Sequence, residues 1–274
     1  PSASTYHGMF AHVHATGLAY YAHAGAWIPL ANLTGANFTG NLAVNNASGS
    51  QVTLHRPDTT IVNDDLYGQI ILSGDDADTN ASGTRGYIRG RSQGSGGGLK
   101  MEFGTAAGGL AIGDPRMVIN ADGYVTKPNQ PSFLVNLSSS KNISGSATIE
   151  ITGWDIAQGS FHNTGSHFNL TSGRFTAPVA GKYKFDANLM HGVTTGDFQL
   201  HIRVNGGTNT AVKANDMNAT SGNTWQQTSV TALFNLAAND YVSMFVYNSA
   251  TMSYAAYGNS GGHCFTTFNG YLVG

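Results

Sequence analysis

Gly173-Arg-Phe-Thr-Ala-Pro-Val-Ala-Gly-Lys-Tyr-Lys-Phe-Asp186 is the stretch from which the fold of this chain is read. Its second half alternates with a period of two, which puts Tyr183 and Phe185 on one face of a strand and Lys182, Lys184 and Asp186 on the other. Pro178 and Gly181 punctuate the turn in front of it. The pattern predicts a half-buried strand entered through a tight turn.

Composition extends that reading to the whole chain. Of 274 residues, 36 are Gly and only 10% are charged, and Lys, Glu and Leu are too sparse for long helices, so an all-β protein is expected. The net charge is −2, from 13 basic and 15 acidic residues, with no basic cluster to face phosphates. Nucleic acid is therefore disfavoured as a partner. No run approaches the ~18 apolar residues of a membrane helix, and membrane insertion is not expected. The single cysteine, Cys264, permits no intramolecular disulfide and reads as a small buried hydrophobe. Burial, including burial between subunits, must then supply the stability.

The opening stretch resembles the signature of the complement q-subcomponent globular heads, a branch of the tumour-necrosis-factor-like trimeric jelly rolls. That signature is a Phe, five residues, Gly, one residue, Tyr, one residue, Phe; Phe175, Gly181, Tyr183 and Phe185 occupy its places, while Ala187 stands where the family usually has an aromatic. Three further pieces follow in the family's order: Gln130-Pro-Ser-Phe-Leu-Val135, the run from Phe234 to Val246, and Phe265-Thr-Thr-Phe-Asn-Gly-Tyr-Leu-Val273. The resemblance implies a ten-strand jelly roll over residues 132–274 and a homotrimer that buries further aromatic residues on a threefold axis. Phe133, Tyr183, Phe185, Tyr241, Phe245, Phe268 and Tyr271 are the candidates for core and axis together.

Residues 1–31 read as a small β-hairpin module, with strands at 9–15 and 19–23 joined by a turn at Thr16-Gly17 and a third strand beginning near Trp27. This module resembles one that recurs in bacteriophage tail fibres, cyanophage fibres especially. His12 and His14 share one face of their strand. In a trimer, six such imidazole nitrogens would surround an axial transition metal, as the resemblance implies; the alternative is that both rings pack or hydrogen-bond in a crowded interface.

Residues 32–127 read as an intertwined β shaft, opening on a polar connector with Leu33, Phe38 and Leu42 and continuing through short strands at 51–55, 68–73, 86–89, 99–103 and 117–119. Asp122-Gly123 marks a hairpin, and the segment Arg116-Met-Val-Ile-Asn-Ala-Asp-Gly-Tyr-Val125 resembles one common near the end of phage fibre shafts. The Pro-marked residues 128–131 form a linker to the head.

Gly94-Ser-Gly-Gly-Gly98 lacks the Lys-Ser/Thr of a phosphate loop, and Asp75-Asp-Ala-Asp78 lacks the glycine and the twelfth-position Glu of a calcium loop. Ser144-Gly-Ser146 and Asn259-Ser-Gly-Gly262 do not supply the strand-to-helix Gly-x-Ser-x-Gly elbow of a serine nucleophile, and the three acids of residues 132–190, Glu150, Asp155 and Asp186, fall on different strands, so a glycosidase pair is not expected there. Glu102 and the acidic cluster leave an enzyme in the shaft as the residual alternative.

If shaft and C-terminus share one end of the head, residues 248–263 lie at the other. That stretch carries Tyr254, Tyr257, Asn259 and His263, and the loop Asn218–Gln227 carries Trp225. Aromatic residues among Asn and Gly suit sugar or protein surfaces, although Tyr254 and Tyr257 would also serve to pack against a neighbouring subunit. The combined expectation is a non-enzymatic trimeric phage tail fibre, located distally on the virion. It would join other virion tail proteins and bind a host-surface receptor, a glycan or an outer-membrane protein. The absence of a signal sequence at Pro1 fits a virion part released by lysis. The alternatives are a capsid or collar decoration fibre and a polysaccharide-cleaving tailspike.

Overall fold

A computed structural model of the chain describes residues 2–14, 18–29, 41–77, 81–107, 113–143, 147–157, 159–192, 197–216, 226–249, 252–254 and 264–274. Strands and turns account for all the regular structure among them, in two compact units, Pro1–Arg56 and Pro57–Gly274.

In the first unit, β1 (Phe10–Val13), β2 (Leu18–His23) and β3 (Ala26–Pro29) form an antiparallel meander. The β2–β3 turn is Ala24-Gly25, both with positive φ, the two-residue geometry whose twist matches flanking strands. The expected strand at 9–15 is shorter, with His14 already in a turn; Thr16-Gly17 lies outside the described residues, as do Leu33 and Phe38. The strand expected at 51–55 does not form. Among the described residues its alternation finds no partner strand, and Val52 and Leu54 stand 69% and 53% exposed.

The second unit begins with a five-stranded antiparallel meander, β4 (Leu66–Gly74), β5 (Gly83–Gln93), β6 (Gly98–Thr105), β7 (Met117–Ile119) and β8 (Val125–Thr126), each strand paired with the next in the same chain. Register divides its side chains sharply. Arg89 lies opposite Glu102 and Arg91 opposite Lys100, while Ile88 faces Ile70 on one side and Phe103 on the other. On the charged face, Glu102 is 4% exposed and ringed by Arg89 at 2.6 Å, Lys100 at 3.2 Å and Arg91 at 3.6 Å. Lys100 also holds Asp64, a hydrogen bond that lowers the Asp64 carboxyl below its usual range. The Tyr87 ring lies flat over Gly104, where an added Cβ would come within 2.3 Å, and the Arg89 guanidinium caps the ring at 4.1 Å.

The remaining strands are β9 (Ser132–Leu137), β10 (Lys141–Ile143), β11 (Ala147–Glu150), β12 (Trp154–Asp155), β13 (His162–Thr164), β14 (Phe168–Asn169), β15 (Arg174–Thr176), β16 (Gly181–His191), β17 (Phe198–Val204), β18 (Ala211–Asp216), β19 (Gln226–Leu236), β20 (Tyr241–Asn248), β21 (Met252–Tyr254) and β22 (Thr267–Leu272). They build a jelly-roll sandwich. One sheet runs β12-β9-β22-β16-β19 with β13 also on β9; the other runs β14-β15-β20-β17-β18 with β11 also on β20.

The stretch quoted first behaves as its period demands. Along β16, Tyr183, Phe185, Ala187, Leu189 and His191 are buried, and the residues between them face outward. Asp186 there accepts from Thr231 at 2.6 Å, and Asn188 from Ser229 at 2.7 Å. Phe133, Phe168, Phe175, Phe185 and Phe268 meet at ring-centroid separations of 4.6–6.3 Å between the sheets. Gly270 makes room for this cluster, since a Cβ there would meet the Phe185 ring at 2.5 Å. The aromatic candidates thus separate: Phe133, Tyr183, Phe185 and Phe268 belong to the core, Tyr241 and Phe245 are half-buried on an outer face, and Tyr271 is 43% exposed.

Candidate functional site

Strand direction decides which end of the sandwich is free. Ser132 begins β9 opposite Tyr271 near the end of β22, the Leu272 amide donates to Pro131 O at 3.0 Å, and Gln130 Nε2 donates to Leu272 O at 3.1 Å. The incoming linker and the outgoing C-terminal strand therefore share one end. The turns Asn205-Gly206, with φ positive at both residues, and Ala238-Asn239-Asp240, with positive φ at Asn239, lie at that end as well.

The opposite end is built by the far ends of the same strands. His191 pairs with Gln226, and Phe198 pairs with both Asp216 and Asn248. The connections over 138–146, 192–197, 217–225 and 249–266 thus all leave from one rim. Asp197 and Ser249 tie two of them together, the Asp197 amide donating to Ser249 Oγ at 2.8 Å and the Ser249 amide to Asp197 O at 3.1 Å. Below the rim, His191 stacks on Phe198 at 3.9 Å and shares a hydrogen bond with Thr228 Oγ1 at 3.0 Å.

Of the five residues named for receptor contact, Trp225, Tyr257, Asn259 and His263 lie outside the described residues. Tyr254 ends β21, which pairs with β10 in a two-stranded sheet at the rim, so residues 248–263 are not one continuous loop. Register sets Tyr254 opposite Lys141, a residue that sequence reasoning did not single out. The Lys141 ammonium donates to Thr152 O and, at 2.8 Å, to Thr152 Oγ1, and burial lowers its pKa.

A second polar assembly covers the outer face of the β14-β15-β20-β17-β18 sheet. Arg174 grips Glu150 with two hydrogen bonds, at 2.8 and 2.7 Å, Ser243 donates to the same carboxylate at 2.6 Å, and the Arg174 guanidinium lies 4.4 Å above the Tyr241 ring. Burial pushes the Glu150 carboxyl up, but the bonds from Arg174 and Ser243 outweigh it and leave the group below its usual range. Beside it, Arg203 is only 6% exposed, stacks 4.6 Å above Phe245, and donates to His201 Nδ1 from Nε at 3.2 Å and Nη2 at 2.8 Å. His201 Nε2 meets Gln199 Oε1 at 3.0 Å. An amide oxygen can only accept, so the proton sits on Nε2 and Nδ1 is the acceptor for Arg203. Burial first, then the charges of Arg203 and Lys213, lower the His201 pKa to about 4.

The three carboxylates between residues 132 and 190 are all in structural use. Glu150 lies on one outer face, Asp186 on the other, and Asp155 accepts the amides of Ile156 and Ala157 at 2.6 and 2.9 Å. The Cys264 thiol is half-buried, and burial raises its pKa, which suits a packing role over a nucleophilic one. In the first unit, the exposed His12 and His14 rings stand 4.9 Å apart at 76°, close enough to address one ion from one side. Among the described residues no third His, Cys, Asp or Glu joins them within the chain, so a closed coordination shell would need imidazoles from further copies.

Comparison with known proteins finds the family model "C1q domain" matching residues 137–273. Among solved structures, the globular domain of zebrafish complement 1qA protein is 17% identical, with a TM-score of 0.36, covering 53% of this chain and 98% of its own. Murine APRIL, crystallised at pH 5.0, is 9% identical with a TM-score of 0.39, covering 53% and 99%. No curated protein matches. With half of its length matched by the family model and folded as a jelly roll, the chain belongs to the C1q domain family.

Proposed function

We propose that the chain is the distal part of a bacteriophage tail fibre, a homotrimer whose head attaches the virion to a bacterial surface. Domains of the C1q type form homotrimers and bind receptors. The observation that carries the reading is the topology of the head: linker and C-terminal strand share one end, and the rim at the other end carries four connections on a rigid sandwich. Rigid scaffolds commonly place their binding residues on such loops. The resemblances at 1–31 and 116–125 to phage-fibre segments support the virion assignment.

The receptor is a glycan or an outer-membrane protein, contacted by Tyr254, Tyr257, Asn259, His263 and Trp225. The chain acts by binding and not by catalysis, and its other partners are virion tail proteins. Three weak sites held together gain avidity of about 10²–10⁴ over one. The axial metal belongs to this reading too, held by His12 and His14 of three copies.

Fluorescent full-length chain is expected to bind intact host cells saturably, and a Tyr254→Ala/Tyr257→Ala variant to lose most of that binding while remaining a folded trimer. A folded trimer that binds no candidate host would refute the receptor role and favour a decoration fibre; release of reducing sugar from host polysaccharide would favour a tailspike.

A further inference from the structure

The β4–β8 sheet is amphipathic across its thickness, and only its charged face is finished. On that face Glu102 is satisfied by three cations and Tyr87 is 5% exposed, and Ile71, opposite Tyr87, is the large aliphatic left exposed there, at 48%. The other face carries Ile70, Leu72, Ile88, Leu99, Met101 and Phe103, of which Leu72 is 61%, Ile70 55% and Leu99 42% exposed. The central strand β5 alternates Gly86, Ile88 and Gly90 there. An added Cβ at Gly86 would meet Leu72 Cδ1 at 3.3 Å, and one at Gly90 would meet Leu99 Cδ1 at 3.2 Å, so neighbouring leucines lie across both glycines. The result is a mainly apolar surface, with the polar residues Thr105 and the buried Ser92 only at its ends, unlike the alternating polar face that an outward-facing antiparallel sheet normally shows.

We propose that this face is an interface between copies of the chain: three intact sheets, each paired within its own chain, turn their apolar faces to a common axis and their charged faces to water. The proposal rests on the trimeric reading above and adds which face meets and that no strands are exchanged. The occupant follows from continuity with the head. Only residues 127–131 separate β8 from β9, and they are pinned to β22 by the Gln130 and Pro131 hydrogen bonds, so a trimeric head delivers three of these faces side by side. A single face offers far fewer residues than the roughly 20–30 a side of a standard interface. It is too small to trimerise from dilute solution, but a short tether raises the effective concentration to the order of millimolar.

Cross-linking in the full chain tests this. In a Cys264→Ser background, Ile88→Cys places a thiol on the apolar face and Gln69→Cys, opposite Arg89, places one on the charged face. With a short bismaleimide, Ile88→Cys is expected to yield covalent multimers nearly completely and Gln69→Cys to stay at background, both within trimers by light scattering. A trimer in which Ile88→Cys fails to cross-link, or Gln69→Cys cross-links as readily, overturns the interface and leaves the fibre reading standing. A monomer overturns both. In the unmodified chain the same arrangement hides the face from the dye ANS, and a trimer that binds ANS strongly would equally refute it.

Discussion

His201→Gln isolates one buried titration. The ring is neutral in the fold, because Nδ1 must accept from Arg203 while Nε2 donates to Gln199, and protonation would set an imidazolium beside the Arg203 guanidinium. The folded pKa is about 4 against an ordinary 6.5. The sign follows directly. Between those values the unfolded chain binds the proton and the folded chain does not, so stability is full above about pH 6.5 and is lost as pH falls toward 4. With 1.36 kcal/mol per pKa unit, the loss is about 2 kcal/mol at pH 5 and about 3 kcal/mol at pH 4. At roughly 2–4 °C per kcal/mol, the head should lose about 4–8 °C in Tm between pH 7.5 and pH 5 from this residue alone. Glutamine keeps an acceptor for Arg203 but cannot titrate, so differential scanning calorimetry across pH should show a flatter curve for the variant. Carboxylates held low, such as Glu150, act on both proteins and cancel in the difference. If the two Tm curves fall in parallel from pH 7.5 to pH 4, the neutral, buried His201 is wrong.

Phe133→Ala removes the ring around which Phe168, Phe175, Phe185 and Phe268 gather and should cost about 3–5 kcal/mol in urea unfolding; a loss below about 1 kcal/mol would mean the cluster is not the core. Gly104→Ala drives a methyl into the Tyr87 ring and should destabilise the β4–β8 sheet by about 1–3 kcal/mol, read as faster proteolysis between β4 and β6 with the head intact; unchanged proteolysis refutes the flat packing. Purified trimer is expected to carry transition metal by elemental analysis, lost in His12→Ala/His14→Ala, and metal-free trimer purified without chelator would end that proposal.

The head was legible because its signals are local. A period of two in Lys182–Asp186 and in the final strand fixes which residues face the core, and Asn205-Gly206 and Asp122-Gly123 announce their turns within two positions. The strand expected at 51–55 shows the limit of such reading, since alternation describes a strand's faces and says nothing about whether a partner exists. The outer-face assembly was illegible for a different reason. Glu150, Arg174 and Ser243 come from three strands, as do His201, Arg203 and Phe245 from two, and only pairing register brings them together. The rim is intermediate: the sharing of one end by linker and C-terminus follows from strand order, whereas the pairing of Tyr254 with Lys141 does not.

The two parts of the second unit bury their apolar residues by opposite routes, and this bears on how a binding head is presented. In the sandwich both sheets turn their apolar faces to each other, so the large core side chains Phe133, Tyr183 and Phe185 are 2% exposed or less within a single chain. In the β4–β8 sheet, burial on one face is incomplete until something else arrives. On the trimeric reading proposed above, such a chain would complete its core in the head first and the sheet only on assembly, the small apolar face gaining its partners once the head had fixed three copies in register. The same order would serve attachment. In the proposed trimer, a shaft closed by such an apolar seam would resist bending where the linker is short and hold three rims at a fixed spacing, which is the condition under which weak sites multiply into avidity. If the proposed rim is the receptor site, loosening that seam should therefore weaken binding to cells more than binding of a single receptor fragment.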